Sequence, residues 1–326
     1  MKNHISLVLK GIAIGFAEVI PGVSGGTIAF ITGIYERLLN AINEMDLLAF
    51  KLLLKGNFKD FWKKIDGQFL FTFFIGMVSG LLSGIFIVTY LIKNHIEPLW
   101  GFFFGLILAS VIYIGKQVKN WDLSKIIVLI LGITIAYFLV AMHPLQGSRA
   151  YWYIFISGVI AISALIMPGI SGSFMLLILG MYTIIIPEIK NFLINHEVES
   201  LYIIIVFGIG MIVGLFSFAK VMSWAFKNYH QKTLVLLTGF MIGALYKIWP
   251  WRLPELWLNK EDGNIYSGVL KLAEIPAKNV KIITERLVLP QDYSIANPNT
   301  VIVIIAAIVG FLSVLILDKS QKKNPI

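Results

Sequence analysis

The sequence predicts an all-α polytopic membrane protein built from two inverted repeats, each a broken, re-entrant helical hairpin followed by three transmembrane helices. Three observations predict it. First, 58% of the 326 residues are apolar and 14% charged, against about 25% charged in a soluble domain. Charge-free runs at Gly67–Ile92, Pro98–Gly115, Ile126–Ser148 and Ser200–Ala219 reach the ~18 residues that cross a hydrocarbon core. Second, Pro21-Gly22-Val23-Ser24-Gly25-Gly26-Thr27, running on to Gly33-Ile34-Tyr35, returns 147 residues later as Pro168-Gly169-Ile170-Ser171-Gly172-Ser173-Phe174, running on to Gly180-Met181-Tyr182, with seven of fifteen positions identical. Third, Phe74–Leu81 resembles Gly208–Leu215 at a displacement of 134. Two collinear matches make a repeat.

In chain order, the first repeat (1–142) opens with a hairpin over Ser6–Asn40, broken at the proline-glycine turn. Spans over Phe69–Ile92, Pro98–Gly115 and Lys125–Met142 follow. The second repeat (143–326) has its hairpin over Tyr151–Lys190, broken at Pro168-Gly169, and spans over Leu201–Ala219, Thr233–Trp249 and Thr300–Leu317. A hairpin returns to its starting side, so each half crosses an odd number of times and the second half is inserted upside down. Secondary transporters recurrently use this plan. The basic segment Met45–Lys64 reads either as an interfacial amphipathic helix or as a linker. Pro250–Pro298 reads as an extracytoplasmic segment with some local structure.

Charge sets the orientation. Seventeen of the 27 Lys and Arg fall on the side of the N-terminus, with eight acids, and the other side has ten cations and ten acids. The formal charge of +9 is therefore a positive-inside signal, which puts both termini in the cytoplasm and speaks against nucleic-acid binding. Lys10 and Glu18 interrupt the first apolar stretch, and no small-x-small cleavage site follows, so the start does not read as a cleaved signal. The chain has no cysteine and its five histidines are scattered, so neither thiol chemistry nor a metal site is expected, and no cofactor is implied.

The two turns carry the candidate chemistry. Proline followed by glycines breaks a helix, and a break inside lipid persists only where protein, water or ligand satisfies the freed backbone groups. A new helix starts at once beyond each turn. Its free N–H groups and positive dipole end, with the hydroxyls of Ser24, Thr27, Ser171 and Ser173, suit an anion, phosphate best of all. The candidate binding residues are therefore Gly22, Ser24, Gly25, Gly26 and Thr27 with Gly169, Ser171, Gly172 and Ser173. The alternative for one such turn is close helix crossing through small residues; its duplication favours a substrate site. Glu18, an intramembrane acid, is either a coupling group for a proton or sodium ion or a cap on the turn's backbone or an ion-pair partner of Lys10 or Arg37. Its repeat counterpart is Leu165, so the half-sites differ. Tyr35 and Tyr182 line the cavity or pack ordinarily. Arg37 attracts phosphate or anchors the cytoplasmic end.

At these residues the sequence resembles the bacterial polyprenyl-phosphate transporter family. Gly15-Phe16-Ala17-Glu18-Val19-Ile20-Pro21-Gly22-Val23-Ser24-Gly25-Gly26-Thr27 through Arg37 is similar to that family's first motif, and Met167–Ser173 with Gly180 and Tyr182 to its second; Gly239–Trp249 resembles a later segment. The resemblance implies flipping of undecaprenyl phosphate across the bacterial cytoplasmic membrane to recycle the carrier for cell-envelope synthesis, its tail left in lipid through a lateral gap. It implies a transporter and not an enzyme. The rival phosphatase family, which also has broken hairpins, would need an arginine where Gly25 stands, a nearby histidine and paired glutamates. A small inorganic anion is the other rival cargo.

Overall fold

A computed structural model describes residues 2–20, 23–142, 144–259, 265–268 and 280–323. The chain runs α1 (Lys2–Val19), α2 (Gly25–Ile31), α3 (Tyr35–Asn43), α4 (Leu47–Leu54), α5 (Phe58–Lys64), α6 (Gly67–Asn94), α7 (Ile96–Gly115) and α8 (Leu123–Ala141). It continues through α9 (Tyr151–Ile166), α10 (Gly172–Ile178), α11 (Tyr182–Asn195) and α12 (Val198–Ala244), then β1 (Arg252–Asn259), β2 (Ile265–Ser267), β3 (Val280–Leu287) and α13 (Thr300–Lys323). Among the described residues, α6, α7, α8 and α12 are each long and apolar enough to cross a membrane, and α10 with α11 forms an apolar pair bent by 106°.

The outside of this bundle is apolar. Phe71, Phe74, Ile75, Val78, Leu82 and Phe86 of α6 all face outward, and α8, α12 and α13 show similar faces. In water such a surface would aggregate; in lipid it costs nothing. The chain is a helical, multi-pass membrane protein.

Each expected hairpin proves to be three pieces. α2 and α10 have seven residues each, about 10 Å of helix and a third of a hydrocarbon core. Gly33 (φ +72°) and Gly180 (φ +68°) end them in the left-handed region, which closes a helix without steric cost only for glycine. The expected continuous arm to Asn40 therefore stops at Ile31, and α3 starts afresh at Tyr35. Met45–Lys64 is helical, as α4 and α5, with Leu47, Leu48, Phe50, Leu54, Phe58 and Trp62 exposed. α12 joins two expected spans. At 47 residues it would measure about 70 Å if straight, but non-helical dihedrals at Tyr229 (φ −135°, ψ 42°) divide it into limbs 198–228 and 230–244.

Glycines decide which helices pair. Val8 and Ile12 of α1 present their carbonyls to Gly76 and Gly80 of α6, leaving no room for a Cβ, and Phe73 and Met77 of α6 present theirs to Gly11 and Gly15 in the same way. The contacts climb together along both helices, so the pair is parallel and the chain between them has returned to the level where α1 began. α9 repeats this against the first limb of α12, through Phe155 on Gly210 and Val159 on Gly214. The other two pairs cross between halves. Gly101 and Gly105 of α7 lie on Val303 and Ala307 of α13, while Gly239 and Gly243 of the second α12 limb lie on Leu129 and Ile133 of α8.

The polar segment departs from the all-helical expectation. It holds an antiparallel sheet in the order β2-β1-β3, with Trp257 opposite Tyr266 on one side and Ile282 on the other. Trp257 is fully buried and stacks on Tyr266. Trp251 ties the sheet to the approach of α13 by donating its indole N–H to the Pro298 carbonyl.

Candidate functional site

The first hairpin is held by two polar side chains of α1 that reach across to α2. Glu18 Oε1 accepts the Gly25 N–H at 2.8 Å, and buried Lys10 donates to the Thr32 carbonyl at 2.8 Å. An acid at the N-terminal end of α2 and a cation at its C-terminal end both match the helix dipole. They also satisfy backbone groups that lipid cannot. Of the two readings of Glu18, the structure displays the cap.

In the second hairpin the Tyr153 hydroxyl donates to the Leu179 carbonyl at 2.9 Å, the position 147 residues after Thr32. The other end differs. Leu165 lies beside Gly172 where Glu18 lies beside Gly25, and no side chain caps α10. Ser171 and Ser173 share a hydrogen bond of 2.9 Å; Ser171 is buried while Ser173 is exposed. By contrast Ser24, Gly25, Gly26 and Thr27 are all buried.

The turns meet each other. Ser24 Oγ donates to the Met167 carbonyl at 3.0 Å, Gly169 N–H donates to Thr27 Oγ1 at 2.8 Å, and Gly26 abuts the Ile166 carbonyl so closely that a Cβ has no place. Gly169 has φ +87° and packs against the Phe240 backbone. Side chains of the first turn thus satisfy the backbone of the second, 143 and 142 positions away, at a single junction, and the partner carbonyls of Ile166 and Met167 carry no side-chain signal that sequence reading could have used.

The remaining candidates stand apart from this junction. Tyr35 is buried between Phe30 and Phe226, with its hydroxyl unpartnered. Arg37 donates Nε to Asp66 at 2.7 Å and lies over the Phe69 ring. Tyr182 begins α11, half exposed. Gly22 lies outside the described residues. No group of three or more His, Asp or Glu side chains that could hold a metal occurs among the described residues.

Two cavities flank the bundle at opposite ends of α8. One, of about 1260 Å³, opens among α3, α4 and the first α12 limb and holds Lys51, Lys220 and Lys227 with Glu36 and Asp46. That limb is fastened to α3 where Asn43 donates to Ser223 Oγ at 2.6 Å. The near end of α8 is marked by the Lys119 N–H, which donates to Gln231. The other cavity, of about 200 Å³, lies at Val140–Met142 between α10 and the sheet. The Lys247 side chain stands on its wall. Neither cavity is lined by the turn residues.

Residues 14–266 match the model of the family described as undecaprenyl phosphate translocase-like. The chain belongs to this family. It is a transport family and not one of enzymes. Two relatives named polyprenyl-phosphate transporter agree: one from Vibrio cholerae serotype O1 is 41% identical over 80% of this chain and 82% of its own length. The second, from Staphylococcus aureus, is 33% identical over 74% of this chain and 85% of its own. No solved structure gives a significant match.

Proposed function

We propose that this chain moves a polyprenyl phosphate, undecaprenyl phosphate in a bacterial cytoplasmic membrane, from one leaflet to the other by alternating access. The names of the family and of both relatives support the cargo. The observation that carries the mechanism is the junction: Ser24 to Met167 and Gly169 to Thr27 join the two turns, and the Ser24 hydroxyl, the Thr27 hydroxyl and the Gly169 N–H can equally donate to a phosphate.

In this reading 1–142 and 143–326 are inverted repeats, with both termini cytoplasmic. The parallel pairing of α1 with α6 and of α9 with the first α12 limb supports it, because each hairpin then returns before its first full span. Rocking one half on the other opens the junction toward one flanking cavity at a time. The hydroxyls of Ser24, Thr27, Ser171 and Ser173 and the N–H groups of Gly25, Gly26, Gly169 and Gly172 hold the phosphate, and the prenyl tail stays in lipid. Glu18, one hydrogen bond from Gly25, takes up the coupling proton or sodium ion.

The test is leaflet exchange of undecaprenyl phosphate in proteoliposomes, with wild type against Ser24→Ala plus Ser171→Ala. Exchange that requires the protein and falls at least tenfold in the variant supports the reading. Exchange no faster than in empty vesicles, under any proton or sodium gradient, overturns it.

A further inference from the structure

The small cavity between the sheet and α10 contains an arrangement that the turns do not account for. Arg252 of β1 is nine-tenths buried. Its guanidinium lies over the Trp100 ring of α7, 4.7 Å from the centroid, and among the described residues donates one hydrogen bond, from NH1 to Glu285 Oε2 at 3.0 Å. Its Nε is buried without a partner, as is the Thr284 hydroxyl on the neighbouring strand. Both residues line the same cavity. Lys247 converges on it from beyond α12, with Nζ 3.5 Å from that same Glu285 oxygen and 5.2 Å from the ring centroid of Phe174 in α10.

Stacking on Trp100 and pairing with Glu285 would suffice if Arg252 only fastened the sheet to the bundle. They leave the orphaned Nε unexplained, and a buried donor without an acceptor keeps its full desolvation penalty. Two cations sharing a single carboxylate oxygen form an anion site in which Glu285 stands for the anion. A guanidinium that gives one bond where its fork can give two parallel ones is half used. Glu255 also lines the space, so the site balances its cations with acids and admits an anion by displacing Glu285 rather than by excess charge. The volume, about 200 Å³, is several times the ~30 Å³ share of one water. That suits a phosphate and is too small for a long prenyl tail.

We propose that Arg252, Lys247 and Thr284 form a second anion subsite, specific for a phosphate monoester, which receives the head group on the sheet side of the protein and delivers it along α10 to the turns. The delivery role rests on the transport reading above; binding at the subsite does not. Phe174, under Lys247, is three residues beyond Ser171, so the same short helix touches both sites.

The experiment measures binding to purified protein in detergent micelles, by Trp fluorescence and calorimetry, with inorganic phosphate and farnesyl phosphate as separate probes. Farnesyl phosphate is expected to bind, to weaken at least tenfold in Arg252→Gln and several-fold in Arg252→Lys, and to tighten in Glu285→Gln. The component of binding that Arg252→Gln removes should persist in Ser24→Ala plus Ser171→Ala, whatever binding that variant loses at the turns. Inorganic phosphate competing for the same change shows that the head group alone is recognised; failure to compete at any concentration overturns the monoester assignment. No binding by wild type, equal binding by Arg252→Gln, or loss in the turn variant with Arg252→Gln unaffected overturns the subsite. Glu285→Gln guards against a folding artefact, because a gain cannot come from unfolding.

Discussion

Thr27 gives the residue-scale argument its sharpest form. Its hydroxyl oxygen is the acceptor for a buried N–H on the opposite turn, so Thr27→Val keeps the shape and orphans Gly169. The expected loss is about 1–3 kcal/mol, seen as a lowered unfolding temperature in detergent, with Thr27→Ser close to wild type. Glu18 follows the same logic. Glu18→Gln retains an acceptor for Gly25 and should hold stability, whereas Glu18→Ala should not. Equal stability of Val and Ser at position 27 would mean that water or relaxation satisfies Gly169. The turns were legible in the sequence because proline and glycine announce a break inside an apolar stretch. The bonds between them were not, since Ser24 donates to a main-chain carbonyl and Thr27 accepts from a main-chain N–H, groups that are the same at nearly every residue.

At the scale of elements, the spans were legible because lipid demands long charge-free helices, and α6, α7 and α8 lie close to where those runs placed them. The division of each hairpin at Gly33 and Gly180 was harder to see, since a lone glycine inside an apolar stretch also marks close packing. Helix ends on the polar side were set by aspartates. Asp46 accepts from Ala49 N–H and Asp122 from Lys125 N–H, and these bonds hold both carboxyls below the usual aspartate range. A lowered carboxylate pKa contributes stability above the ordinary value and loses it as pH falls through the lowered one. Amide exchange in Leu47–Leu54 and in the first turn of α8 should therefore speed up on acidification beyond the intrinsic trend, and Asp46→Asn should remove that dependence in α4. An identical pH profile in Asp46→Asn would show that the cap does not govern α4.

For the whole molecule, two short matches in the sequence point to an internal repeat, but the pairing of α7 with α13 and of α8 with the second α12 limb was not legible there. It rests on glycine faces whose destination depends on three-dimensional course, and Gly101 could as well have met a helix of its own half. The proposed orientation can be read directly because the chain contains no cysteine. With single substitutions Lys59→Cys and Ser267→Cys, a membrane-impermeant maleimide applied to intact cells should label only position 267, and position 59 only after permeabilisation. Labelling of both from the same side would contradict the inverted arrangement.

The pairing of α7 with α13 also has a consequence in time. α7 leaves the ribosome roughly 200 residues before its partner, which at about 5–20 residues per second is a wait of about 10–40 s. During that interval the glycine groove of Gly101 and Gly105 is open to lipid or to whatever helix passes. Assembly of the bundle is therefore post-translational at its last step, and a nascent chain arrested before Thr300 is an unfinished membrane protein with a vacant seam, a form that a membrane chaperone or protease can distinguish from the completed one.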